Sequence, residues 1–166
     1  MNIVLLSDTH GYLDNSILQH INQADEVWHA GDFGAGVAHT LTLIKPLRGV
    51  FGNIDDNEIR KEYGRYQSFN CNGLQVLMIH IGGYPPAYQK GIIQLIKEHK
   101  PQLFISGHSH ILKIIRDTNN HLLHINPGAA GKHGFHLMRT MVKFEITNAQ
   151  IKNLCVIELG ARNATL

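Results

Sequence analysis

Five apolar runs in this chain each empty into a short loop that carries Asp, Asn or His, with glycine beside the polar residues. Residues 1–7 lead to Asp8-Thr9-His10-Gly11, residues 26–30 to Gly31-Asp32, and residues 47–51 to Gly52-Asn53-Ile54-Asp55. Leu74–Ile79 leads to His80, with Gly82 two residues on, and Leu103–Ile105 leads to Gly107-His108-Ser109-His110. Runs that are continuously apolar, rather than alternating, belong to strands covered on both faces, as in parallel sheets. Helical spacing fills the first two gaps. Ile17, Leu18 and Ile21 follow an N-cap at Asp14 or Asn15, and Val37, Leu41 and Ile44 precede Pro46. Strand–helix–strand–helix–strand predicts α/β packing, in which the carboxyl ends of the strands share one rim where ligands bind.

The rest of the chain adds a second sheet. Tyr66–Cys71 and Leu74–Ile79 flank Asn72-Gly73, a strong hairpin signal. Pro85 or Pro86 is expected to open a helix that carries Tyr88, Ile92, Leu95, Ile96 and His99, with Lys97 and Lys100 in its last turn and Pro101 behind. Beyond His110 the pattern is antiparallel. Residues 112–116 and 122–125 surround a turn, Asn126-Pro127-Gly128 is a sharp loop, and residues 138–146 and 151–159 form a final hairpin around Asn148. These strands outnumber what one layer holds, so two packed sheets with helices outside are predicted, and residues 160–166 are expected to fray.

Composition narrows the function by exclusion. The 166 residues, 43% apolar and 17% charged, suit one globular domain spanning residues 1–166. A net charge of +2 without a Lys/Arg run makes no case for a membrane surface, or for nucleic acid larger than a small nucleotide. No apolar stretch approaches the ~18 residues of a membrane span. Cys71 and Cys155 read as buried free thiols of a reducing compartment, with a disulfide as the alternative. The opening run reads as a first strand and not a signal peptide, so a cytoplasmic location is expected. The unusual count is 12 histidines.

Asp8, His10, Asp32, Asn53, His80, His108 and His110 all fall at the predicted rim. They are N/O donors of intermediate hardness, suited to Mn, Fe, Zn, Ni or Co and not to Ca. Seven donors exceed the needs of one ion but fit two ions sharing a bridging carboxylate, an arrangement that activates water for phosphoryl transfer. Any one of these residues alone is more simply a cap, a loop residue or a satisfied polar group; the coincidence at five strand ends is what carries the reading.

Taken in order, Asp8-Thr9-His10, Gly31-Asp32, Gly52-Asn53-Ile54-Asp55, His80 and Gly107-His108-Ser109-His110 resemble the calcineurin-like metallophosphoesterase superfamily, most closely its small bacterial phosphodiesterases. The resemblance covers nearly the whole chain and implies an α/β fold, a four-layer α-β-β-α sandwich of two mixed sheets with flanking helices. It implies two divalent transition metal ions, with Mn foremost. Asp8, His10 and His110 would bind the first, Asp32 would bridge, and Asn53, His80 and His108 would bind the second. It also assigns catalytic roles to Asp32, Asn53 and His108, acting on a small phosphodiester.

Two departures from that pattern stand out. Many members carry His after the Gly-Asn pair to assist the leaving oxygen, and here Ile54 stands there; and His80 is followed by Ile81-Gly82-Gly83 where many have Gly directly. Weaker candidates surround the site. His29 either orients a ligand or is a structural His beside Trp28, and Asp55 either orients His10 or another ligand or caps the next helix. Asn53, Lys132, His133 and Arg139 are candidate contacts of the substrate phosphate, with His136 in the same basic cluster, and the alternative for that cluster is a solvated loop. The rival to an enzyme is a protein-binding scaffold of the retromer-subunit type, a lineage that has lost part of its ligand set. A metal-dependent nuclease is a third reading, disfavoured by the absence of a basic stripe. The sequence leaves oligomerisation open.

Overall fold

The computed structural model describes residues 1–163. The elements run β1 (Asn2–Leu6), α1 (Asn15–Asn22), β2 (Glu26–His29), α2 (Val37–Ile44), β3 (Leu47–Gly49), α3 (Asn57–Glu62), β4 (Tyr66–Cys71) and β5 (Leu74–Ile79). They continue with β6 (Gly83–Tyr84), β7 (Ala87–Tyr88), α4 (Ile92–His99), β8 (Leu103–Ile105), β9 (Leu112–Asp117), β10 (Leu122–Pro127), β11 (Met138–Thr147) and β12 (Gln150–Ala161).

Two five-stranded mixed sheets result, ordered β12-β11-β1-β2-β3 and β4-β5-β8-β10-β9. β1, β2 and β3 are parallel, as are β5, β8 and β10, while β11, β12, β4 and β9 join antiparallel at the flanks. Strand period explains the continuous apolar runs. Ile3 and Leu5 of β1 face the space between the sheets with Trp28, Val76, Met78 and Ile105. Val4 and Leu6 face outward onto Ile17 and Ile21 of α1 and Leu41 of α2. On the far side Leu77, Ile79 and Phe104 meet Ile92 and Ile96 of α4. The layers are therefore α-β-β-α, as the sequence resemblance implied. Trp28 is fully buried between the sheets, with the rings of Phe69 and Phe144 edge-on at 5.1 and 5.6 Å. The parallel strands of both sheets end on the same rim, and this is what brings the polar loops together.

Several expectations need correction. The Pro-opened helix does not form: a cis Pro85–Pro86 peptide turns the hairpin β6–β7, and the helix begins only at Ile92, after Gly91 at φ 89. A residue before proline is disfavoured in the α region, and Pro85 stands before Pro86. Tyr88 thus belongs to the hairpin, where its hydroxyl donates to Asp117 at 2.6 Å. The helix expected after Asp55 is α3, six residues long and capped by Asp56 rather than Asp55, with Asp56 accepting from Glu58 and Ile59 N–H. Cys71 is buried as expected, but Cys155 is exposed because β12 is an edge strand, and both are free. Gly160 and Ala161 belong to β12, where Ala161 pairs with Met138, rather than fraying, and residues 164–166 lie outside the described residues. Among the described residues no helix is long and apolar enough to cross a membrane.

Candidate metal centre

The loops after β1, β2, β3, β5 and β8 bring Asp8, His10, Asp32, Asn53, His80, His108 and His110 to one cleft. Asp32 divides its carboxylate between two groups: Oδ2 lies 3.6 Å from His10 Nε2, and Oδ1 lies 3.3 Å from His80 Nε2. Asp8 Oδ1 is 3.3 Å from His110 Nε2 and 3.9 Å from His80 Nε2. Asn53 Oδ1 approaches His80 Nε2 at 3.2 Å, and the His108 ring stands 5.3 Å from that of His80. Two clusters of possible ligand atoms emerge, Asp8–His10–His110 and Asp8–Asp32–His80.

The hydrogen bonding of these groups fits a cation between them. His80 Nδ1 faces the Ala30 carbonyl at 2.8 Å, which assigns the ring proton there and leaves the Nε2 lone pair aimed at oxygens that only accept. Burial works against a positive charge at His80. Protonated at both nitrogens, the ring would donate to Asp32 as well, and that bond, with the charges of Asp8 and Asp32 and the Ala30 carbonyl, outweighs burial and raises its pKa. Asp8 Oδ1 and His10 Nε2 are buried and have no hydrogen-bond partner, although ion-pair distances surround them. Burial also lowers the pKa of His10 and of His108, which keeps both rings neutral and able to ligate. Buried groups of this kind are normally satisfied, and a divalent cation satisfies all of them at once.

Backbone geometry at the cleft is unusual. Asp8, His10, Asp32, His108 and His110 all have φ between 47° and 68°, in the left-handed region that non-glycine residues rarely enter. At Gly52 a Cβ would collide with the Asp32 carboxylate, so only glycine admits the loop there.

The supporting contacts are long-range. His29 is fully buried, its Nδ1 accepting from Gly31 N–H at 3.2 Å and its Nε2 donating to Thr9 Oγ1 at 2.9 Å; Thr9 in turn donates to Phe33 O. Burial, with the nearby His80 charge, pushes His29 down to about 3, so the ring ties the first two loops together as a neutral group. Asp55 neither touches His10 nor caps α3. Its carboxylate accepts from Gly34 N–H at 3.0 Å and Gly52 N–H at 2.8 Å, joining the second loop to the third.

Two supporting residues were missed. Arg60 of α3 donates to the carbonyls of Asp55, Gly52 and Asn53 at 2.7–3.0 Å and so shapes the Asn53 loop. Buried Asn126 donates to Gly107 O and Ser109 Oγ, holding the His108–His110 loop. Asn126-Pro127-Gly128 was visible as a sharp loop, but no local pattern marks Arg60.

The basic cluster after Gly131 divides. His133 lines the cleft with Ile54 and stands 4.7 Å from the His10 ring, and His136 stands 5.4 Å from His110. Arg139 does not reach the cleft. Both of its terminal nitrogens donate to Asp14, at 2.9 and 2.8 Å, and one also donates to Leu159 O, because a buried guanidinium needs a carboxylate. Lys132 lies over the Tyr12 ring at 5.0 Å, beside that pair.

The model of the calcineurin-like phosphoesterase superfamily domain matches residues 1–149, so the chain belongs to the calcineurin-like phosphoesterase superfamily. Comparison with curated protein sequences gives no match. Among solved structures, it is similar to an archaeal phosphodiesterase (22% identity, TM-score 0.75, covering 96% of this chain and 100% of that one). A predicted phosphoesterase from Streptococcus pneumoniae TIGR4 is 20% identical, with TM-score 0.71, over 95% and 88% of the two chains. Vps29 from Entamoeba histolytica, complexed with zinc, is 14% identical, with TM-score 0.74, over 98% and 100%. At these identities the structural likeness speaks for the fold.

Proposed function

We propose that the protein is a metal-dependent phosphodiesterase that acts on small diesters, with manganese as the preferred metal. The observation that carries this reading is the divided carboxylate of Asp32, whose two oxygens face two different imidazoles, His10 and His80. Asp8, His10 and His110 would hold one ion, Asn53, His80 and His108 a second, and Asp32 both. Such a pair supplies Lewis acidity that activates a water and offsets charge on phosphate. The chain's own contributions are fixed geometry, neutral imidazoles and an oxygen donor from Asn53 that adds no negative charge. Ile54 is half exposed at the cleft and gives no proton, while its N–H donates to Asp32 at 3.0 Å. A diester with a good leaving group suits such a site better than a monoester dianion with a poor one. Asn53 and His133 are the proposed contacts of the substrate phosphate.

One observation favours the scaffold alternative: Phe135 is fully exposed at the cleft mouth, with Leu137 and Ile111 also exposed. The complete donor set weighs toward hydrolysis. The deciding experiment reconstitutes the protein with Mn²⁺ and follows bis(p-nitrophenyl) phosphate, with metal content measured in parallel. Asp32→Gly, which accepts the left-handed backbone, should lose more metal per chain than Asn53→Ala. Chelation should abolish hydrolysis reversibly and leave the protein folded. Full metal occupancy in Asp32→Gly would overturn the shared-carboxylate reading, and a correctly metallated protein inert toward diesters would overturn the enzyme.

A further inference from the structure

Beside the Asn53–His80 end of the cleft lies a second cavity, of about 210 Å³, that the ligand set does not use. Its apolar surface comes from Phe51, Ile79 and Ile81, and its charged groups are Arg60 and Arg65, with no carboxylate in the lining. The two arginines differ. Arg60 is committed to three backbone carbonyls and lies 4.5 Å over the Phe51 ring. Arg65 is exposed and makes no hydrogen bond or ion pair among the described residues. Asn53 and His80 line this cavity as well as belonging to the centre, so an occupant would be continuous with a phosphate held there.

Size and chemistry restrict that occupant. A dry cavity of about 150 Å³ accepts a benzene ring, so this one has room for a single ring and a small substituent. Guanidinium presents a planar fork that matches carboxylate and phosphate oxygens. We propose that this cavity is a substrate subsite for one arm of the diester, an arm carrying a flat apolar ring that ends in a carboxylate or phosphate group, and that Arg65 reads the terminal anion. The proposal rests on the phosphodiesterase reading for its chemistry but adds a substrate class to it. Hydrolysis is unchanged in kind: water adds to phosphorus, the bond to the leaving oxygen breaks, and the anionic arm departs as a monoester.

The test uses three p-nitrophenyl diesters whose second arm is phenyl, 4-carboxyphenyl or 4-phosphonophenyl, so that the leaving group is constant. With Mn²⁺-loaded protein, kcat/KM for at least one anionic arm should exceed that for phenyl about fivefold or more, the upper range for a partly exposed ion pair. Which anion wins distinguishes the carboxylate from the phosphate source. Arg65→Ala should bring the ratio to about one, and Arg65→Lys should restore part of it. Calorimetry with phenyl phosphate and 4-carboxyphenyl phosphate on the same samples gives a readout independent of turnover. An active wild type with no preference, or a preference that survives in Arg65→Ala, overturns the subsite. If no diester is hydrolysed with any metal, the hydrolase reading falls, and calorimetry then decides the subsite alone: equal or undetectable binding of the two monoesters rejects it.

Discussion

The two halves of the centre are built from the same materials but furnished differently. Around His10 and His110 further imidazoles gather along the cleft: His133 and His136 stand 4.7 and 5.4 Å from their rings. Around Asn53 and His80 the neighbouring cavity has apolar walls and two arginines, of which Arg65 has no hydrogen bond or ion pair among the described residues. The half crowded with imidazoles thus differs from the half walled by Phe51, Ile79, Ile81 and two guanidinium groups. Alike as donor sets, the halves differ in what lies behind them, which ligand types alone do not reveal.

The largest expected effect tests whether the halves are joined. Asp32→Gly should lower diester hydrolysis by about 10²–10³-fold, since in the proposed assignment it removes the carboxylate that both ions share. His110→Ala and His80→Ala should each deplete only their own half. Metal analysis showing that either one empties both halves would end the comparison.

Next comes the proton. Ile54→His should raise hydrolysis of alkyl esters by up to about 10²-fold, with little change for aryl esters, because general acid help matters most for poor leaving groups. If wild type already shows a shallow dependence on leaving-group pKa that steepens in His133→Ala, the crowded half supplies the proton instead.

Arg60→Ala should weaken metal binding about tenfold at the Asn53 half alone, as loss of a residue supporting a ligand usually does. Competition with a metal-sensitive dye would show one weakened site. Two equally weakened sites would mean that Arg60 supports the whole rim.

The last effect lies away from the cleft and bears on stability. His124 is buried, hydrogen-bonded to Ser106 at 3.0 Å, and burial, with Lys113 nearby, lowers its pKa to about 4. Its folded pKa is below the unfolded value of ~6.5, so the unfolded chain takes up the proton first and stability falls as pH drops from about 6.5 to 4. The contribution is on the order of 3 kcal/mol. Denaturation of the chelated protein should show this slope, and His124→Gln should flatten it.

The parts of this molecule that were legible in the sequence are those decided within a few residues. An apolar run and the polar loop behind it are neighbours in the chain, so each candidate residue of the cleft could be found where its strand ended. Arg139 defeated the same reading because its partner Asp14 is 125 residues away and nothing near Arg139 announces the pairing. Asp55 looked like a cap because a helix does follow it, but the neighbouring Asp56 takes that role and frees Asp55 to join two loops. At Pro85-Pro86 a helix-opening signal competed with a turn signal, and position beside β9, where Lys113 lies 3.3 Å over the Tyr84 ring, accompanies the turn.

The left-handed backbone at five candidate ligand residues has a consequence for how this centre can change over generations. Each such position is filtered twice, once for its donor atom and once for tolerance of positive φ, a conformation that costs ordinary residues about 1–2 kcal/mol. Asn, Asp and glycine pass the second filter most easily. A saturation library at Asp8 or Asp32, sorted only for folded protein, should therefore retain Asn and Gly and discard Val, Ile and Thr before any selection for metal is applied. A lineage losing its metals would drift first to Asn and Gly at these positions, keeping the shape of the cleft after its chemistry had gone.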